Sequence, residues 1–216
     1  MLGTHDLPLF IVSGLLLNIT PGADSLLIAS RAAAQGFKAG AWAALGVSAG
    51  CLVHVLCAAV GLSAILATST LAFTVLKLLG AAYLVVIGLG MVLQRVSSTP
   101  PPAPTPAAAS LPTAGRAVFV QGFLTNVLNP KVALFFLAFV PQFIEPAAAN
   151  KALAFLFLGG IFTLNSSLWC LLLAWAAARV GSSGIGQRLG SWVSRVVGAL
   201  FVCLGVRLAL SGSPPG

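Results

Sequence analysis

Six long apolar stretches, at 7–30, 39–63, 68–94, 117–143, 150–178 and 191–210, account for most of this 216-residue chain. Each reaches the roughly 20 residues a helix needs to cross a bilayer core. The chain is 59% hydrophobic and only 6% charged, whereas a soluble domain carries about 25% charged residues. It could bury a core in water but could not cover that core with polar surface, so the bilayer must be its solvent. The expected fold class is an all-α membrane protein with six transmembrane helices. The formal net charge of +8 does not imply nucleic acid as a partner. Lys and Arg are scattered between the apolar stretches and form no stripe with interleaved aromatics.

Two stretches are interrupted in the same way. The first contains Asn18-Ile19-Thr20-Pro21-Gly22-Ala23-Asp24, and the fourth contains Asn126-Val127-Leu128-Asn129-Pro130-Lys131. Each follows a glycine four residues before its first asparagine, Gly14 and Gly122. Proline lacks an N–H and suits the first position of a helix. Thr20 and Asn129, the residues before the two prolines, are types that cap a helix start. Both stretches therefore read as one half-helix ending and a second beginning near mid-membrane. Irregular backbone at that depth is tolerated only where protein or a watered cavity covers it. The new N-termini suit a carboxylate and the preceding C-terminal carbonyls suit a cation.

Helices 1 and 4, broken at Pro, divide the chain into corresponding halves: a first three-helix repeat at 1–94, a linker at 95–115 and a second repeat at 116–216. Lys77-Leu78-Leu79-Gly80-Ala81 and Arg195-Val196-Val197-Gly198-Ala199 open the third and sixth stretches alike. Three spans per half is an odd number, so the second repeat is inverted relative to the first. The linker contains Thr99-Pro100-Pro101-Pro102-Ala103-Pro104 and reads as a polyproline-like or disordered spacer. Basic residues cluster on the odd-numbered loops: Arg31 and Lys38, Arg95 and Arg116, then Arg179, Arg188 and Arg195. These loops are expected in the cytoplasm, which puts both termini on the periplasmic face. Lys77 and Arg207 lie near outer span ends and can snorkel. The N-terminus lacks the basic region of a signal peptide, and His5 and Asp6 precede the first stretch, which is expected to be retained.

Candidate site residues follow from the breaks: Asn18, Thr20, Pro21, Gly22, Asp24, Asn126, Asn129, Pro130 and Lys131. Asp24 is the only acidic residue inside any stretch, and an acid at that depth is costly enough to point to function. If both half-helices were regular, Asp24 and Lys131 would stand roughly 15 Å apart along the membrane normal. A single amino acid could then meet both charges only if the breaks departed from that geometry, or in different transport states.

Other patterns carry no chemistry. Gly46-Val47-Ser48-Ala49-Gly50 matches the G-x-S-x-G nucleophile pattern, but that elbow needs a strand-to-helix turn. Ser48 and His54 lie six residues apart on one helix, on different faces. Gly46 and Gly50 are better explained by close helix packing. His54, Asn165, Ser166 and Ser167 suit either a cavity lining or interhelical hydrogen bonds. Gly181-Ser182-Ser183-Gly184-Ile185-Gly186 reads as a loop. Cys51, Cys57, Cys170 and Cys203 have no zinc-ligand spacing and read as small packing residues.

Asn18…Thr20-Pro21-Gly22-Ala23-Asp24, Gln35-Gly36…Gly40, Gly46…Gly50, Leu79-Gly80-Ala81-Ala82-Tyr83-Leu84…Gly88 and Gln121-Gly122-Phe123…Asn126…Asn129-Pro130-Lys131 together resemble the LysE/RhtB translocator superfamily of amino-acid exporters. Members usually carry Pro-Gly-Pro where this chain has Ala23. The resemblance implies a bacterial inner-membrane exporter of amino acids or related metabolites, not an enzyme, that needs no cofactor and is driven by the proton gradient. The alternatives are a metal-cation exporter of the same superfamily and a non-transporting membrane assembly subunit. A metal carrier would want several carboxylates, His or Cys converging at mid-membrane. The expected partners are the lipid bilayer and an amino-acid substrate. A homo-oligomer is compatible with the sequence, and the substrate's identity stays open.

Overall fold

The computed structural model describes residues 2–62, 70–93, 114–145 and 147–180, and isolated positions between 199 and 210. The Pro-rich linker, the glycine-rich loop at 181–186 and most of the expected sixth span at 191–210 lie outside the described residues, as do Arg95, Arg188, Arg195 and Arg207 and the side chain of Lys77. The described chain is helical. Helix α1 spans Leu7–Ile19, α2 Ala23–Gln35, α3 Phe37–Cys57, α4 Thr70–Leu93, α5 Gly115–Val127, α6 Pro130–Leu134 and α7 Lys151–Val180. A π-helical turn, Ala58–Leu62, extends α3, and α6 runs on through a second, Phe135–Phe139, and a 3-10 turn, Val140–Phe143. Among the described residues, two helices are long and apolar enough to cross a membrane alone, Phe37–Gly61 and Lys151–Arg179, and the count reaches four when each bent pair is one span. The long fifth stretch is thus a single helix, and α4 lies within the third stretch.

The two interrupted stretches are bent helix pairs, by 56° between α1 and α2 and by 47° between α5 and α6. They lie antiparallel along each other, as a ladder of partners shows. Thr4 bridges Ile144, Lys131 reaches Leu17 and Thr20, Asn126 reaches Asp24, and Arg31 donates to the side-chain oxygen of Gln121. One residue number rises as the other falls. The start of the first stretch and the end of the fourth therefore share one end of the molecule.

Small residues set how closely the other helices approach. A Cβ on Gly46 would collide with the carbonyl oxygen of Phe119, and one on Gly122 with that of Ala43. Helices α3 and α5 thus pack backbone against backbone, the arrangement expected of small residues four apart. Ser48 sits inside continuous α3 and bonds Ser167 on α7 at 2.7 Å and the carbonyl of Ala44. Asn165 donates to the carbonyl of Ile11 at 3.3 Å. The Ser48–Ser167 and Asn165–Ile11 bonds are interhelical, and the four cysteines are free.

Packing separates into two apolar layers. One gathers Phe10, Leu17, Val55, Phe135, Phe136, Phe139, Phe155 and Phe162, with most ring pairs tilted or edge-on, such as Phe135 and Phe162 at a centroid spacing of 4.5 Å, and Phe135 stacked on Phe139. The other gathers Ile28, Ala32, Ala43, Val47, Val118, Cys170 and Ala174. In the helices that feed both layers, the section between them carries polar residues from each stretch, among them Asn18, Thr20, Asp24, Ser48, Asn126, Asn129, Lys131 and Ser166. The candidate site lies in that belt.

Candidate functional site at the crossed helix breaks

The two breaks have different local chemistry. Asn129 is the N-cap of α6, as its position before Pro130 suggests. It accepts through Oδ1 from the backbone N–H of Lys131 at 3.0 Å, and Pro130 occupies the first turn. Thr20 departs from expectation. It ends α1 rather than starting α2, and its hydroxyl donates back to the carbonyl of Leu16 at 2.8 Å. The residue before a proline is pushed towards extended backbone, and Thr20 adopts φ −62° and ψ 121°. The chain is still extended at Gly22, which becomes the N-cap of α2 with no side-chain cap. Pro21 lies in the connection between α1 and α2, and both Pro21 and Pro130 are exposed. The glycine serves proximity here, since a Cβ on Gly22 would stand 3.2 Å from the Lys131 ammonium.

Each break then holds the other. The carboxylate of Asp24, from the first, accepts through Oδ2 from Nδ2 of Asn126 at 2.9 Å and from Nδ2 of Asn129 at 3.0 Å. The ammonium of Lys131, from the second, donates to the carbonyls of Leu17 and Thr20, both at 3.2 Å. These are carbonyls of the last turn of α1, which lack intrahelical partners and carry the negative end of the helix dipole. The cation expected at those carbonyls is thus supplied by the chain itself. Asn129 links the two charges, holding Asp24 through its amide N–H and the Lys131 backbone through its carbonyl oxygen. Asp24 and Lys131 make no ion pair within 4 Å. The regular geometry that would separate the charges along the normal is lost to the two bends, and both enter one belt.

Asn126 and Asn129 are buried, at 2% and 7% exposure, so their hydrogen bonds form away from water. The belt nevertheless leaves polar capacity unused. Among the described residues, Asp24 Oδ1, Asn126 Oδ1 and Asn18 Nδ2 are buried without a hydrogen-bond partner. Most buried polar atoms have a partner, and each exception calls for a cause such as a ligand. Two unused acceptors and one unused donor suit a small molecule bearing an ammonium or proton on one side and an acceptor on the other.

One member of this neighbourhood is not evident from the sequence motifs. Nε2 of His54 lies 3.0 Å from the carbonyl oxygen of Asn126, and the ring stacks on Phe136 at 6.2 Å. The available signal was weak: His54 is a lone histidine within an apolar helix. Arg31 and Gln121 were equally unreadable as a pair, because only the antiparallel alignment of the two stretches brings them together.

Comparison with known proteins agrees with this architecture. The family model described as LysE type translocator matches residues 15–212. A membrane protein of Pseudomonas aeruginosa is 34% identical over 209 residues, covering 96% of this chain and 96% of its own length. The membrane protein YrhP of Bacillus subtilis is 30% identical over 210 residues, covering 96% of this chain and all of its own. A leucine efflux protein of Salmonella typhimurium is 26% identical over 201 residues, with 93% and 92% covered. No solved structure matches. Breaks, alignment and match together make the chain a member of the LysE type translocator family, whose members are transporters and not enzymes.

Proposed function

We propose that this protein is a secondary active exporter of amino acids or related small metabolites, driven by the proton gradient across the bacterial inner membrane. The reading places six spans in two inverted repeats, with both termini periplasmic. The observation that carries it is the reciprocal hold between the breaks, with Asp24 on Asn126 and Asn129 and Lys131 on Leu17 and Thr20. Paired discontinuous helices near mid-membrane are where secondary transporters bind substrate.

In this reading the free oxygen of Asp24 takes the α-ammonium of the substrate or, alternately, a proton. The uncapped N-terminus of α2 at Gly22, beside the Lys131 ammonium, takes the α-carboxylate. Of the two helix starts that suit a carboxylate, that of α6 is already capped by Asn129. Binding of a zwitterion would compete with the cross-break bonds, so occupancy at the centre can loosen one half from the other. Such differential contact is what lets a ligand bias two conformations. The leucine efflux protein among the relatives makes neutral amino acids the first to try.

The test is uptake into inverted membrane vesicles under an imposed proton gradient, over a broad amino-acid panel plus cadmium and manganese. Gradient-dependent uptake of an amino acid is the expected result. Metal uptake with no amino acid moved would replace this reading with the metal-cation one.

A further inference from the structure

Beyond the charged belt, a pocket of about 260 Å³ lies where the two halves of the chain meet. Its walls include His54 and Ala58 at the end of α3, Gly61 in the first π turn, Ala133 in α6, and Phe136 in the second π turn. Each wall therefore includes part of a π-helical turn, one from each half. Such turns are rare and occur disproportionately at functional sites. They displace side chains from the regular helical register, which leaves room that two ideal helices in contact would fill.

The pocket adjoins the belt through one hydrogen-bonded route: His54 forms part of its wall and meets the backbone of Asn126, whose side chain holds Asp24. Pockets for whole drug-sized ligands run to roughly 300–1,000 Å³, so this space suits a fragment rather than an entire large ligand. Ala, Gly and Phe carbon offers that fragment no hydrogen bonds, and the only strongly polar group is the His54 imidazole, already anchored by its hydrogen bond and its stack on Phe136.

We propose that this pocket is the side-chain subsite of the transporter: it receives an apolar side chain while the α-ammonium and α-carboxylate engage Asp24 and the break beside Lys131. The inference rests on the exporter reading above and adds to it the class of substrate, a neutral amino acid with an aliphatic or similarly apolar side chain.

Gly61 makes the test clean. A Cβ there would meet nothing within 4 Å, so the side chain of Gly61→Leu starts from open space at the pocket wall. Wild type and variant are reconstituted in proteoliposomes, and counterflow of labelled leucine and alanine is measured side by side. Gly61→Leu is expected to lower the leucine-to-alanine rate ratio by about tenfold or more, the scale on which hydrophobic pockets discriminate. Ala133→Val, which narrows the pocket from the opposite half, is expected to move the ratio in the same direction, and it supplies the reading if Gly61→Leu fails to reach the membrane. A ratio unchanged in both variants, or leucine and alanine falling together, overturns the subsite and leaves the exporter standing. A wild-type protein that moves no amino acid overturns the exporter reading and the subsite with it.

Discussion

Replacing Asp24 by Asn separates the charge of the belt from its shape. Both bonds to Asp24 arrive at a single oxygen, from Asn126 and Asn129, so an Asn side chain can present its carbonyl oxygen to both donors and keep them. Its NH₂ then takes the place of Oδ1, which has no partner to lose. Hydrogen bonds to a charged group contribute about 1.5–3 kcal/mol and neutral ones about 0.5–1.5 kcal/mol. Two weakened bonds cost about 2–3 kcal/mol on that scale, and relief from burying a charge offsets part of this. The variant should therefore insert and melt close to wild type. Transport should behave otherwise, because the substrate ammonium or the coupling proton loses its carboxylate. Losing about 3 kcal/mol of charge-assisted binding in the transport transition state corresponds to a rate on the order of a hundredfold lower. The assay is gradient-driven uptake into inverted vesicles, normalised to the amount of inserted protein, with a melting curve of the purified variant alongside. Normal uptake by Asp24→Asn would reduce Asp24 to a tether for two asparagines and remove it from the coupling chemistry.

Lys131→Gln should impair export more than Lys77→Gln, because Lys131 holds the carbonyls of Leu17 and Thr20 while Lys77 is expected from its place in the sequence to snorkel; equal uptake rates for the two would take Lys131 out of the site. Gly122→Ala should lower the melting temperature by several degrees, since its Cβ collides with the Ala43 carbonyl and overpacking costs about 1–3 kcal/mol, whereas Gly61→Ala should leave melting unchanged. Ser48→Ala should export at close to the wild-type rate, because its hydroxyl serves a bond between α3 and α7; complete loss would reopen a role for that serine. Reporter fusions active only in the cytoplasm should be silent at Gly216 and active within 97–113, and activity at Gly216 would overturn the inverted-repeat topology.

Much of the architecture is legible locally. Long apolar stretches with few charges have no aqueous alternative, and a proline within one removes a backbone hydrogen bond wherever the helix goes. The positions of both breaks, the Asn129 cap, the backbone packing at Gly46 and the place of Ser48 within a continuous helix follow from residue type and spacing alone. The Thr20 cap does not, because Thr20 can end one helix as readily as start another. Its choice depends on how far the extended backbone at Pro21 carries before α2 begins.

The sequence by itself determined that the chain needs a bilayer, that two of its helices are broken in corresponding places, and that one acid and one lysine lie near those breaks. Only the tertiary structure decided what the charges hold. Asp24 and Asn126 are 102 residues apart, Lys131 and Leu17 are 114 apart, and no spacing rule spans such separations. Their meeting follows from the antiparallel alignment of the two bent stretches and from the lack of a side chain on Gly22, which lets the Lys131 ammonium approach. Packing aligns the stretches, and at that depth an orphaned carbonyl or an unpaired charge is expensive, so the groups at one break are satisfied by the groups at the other.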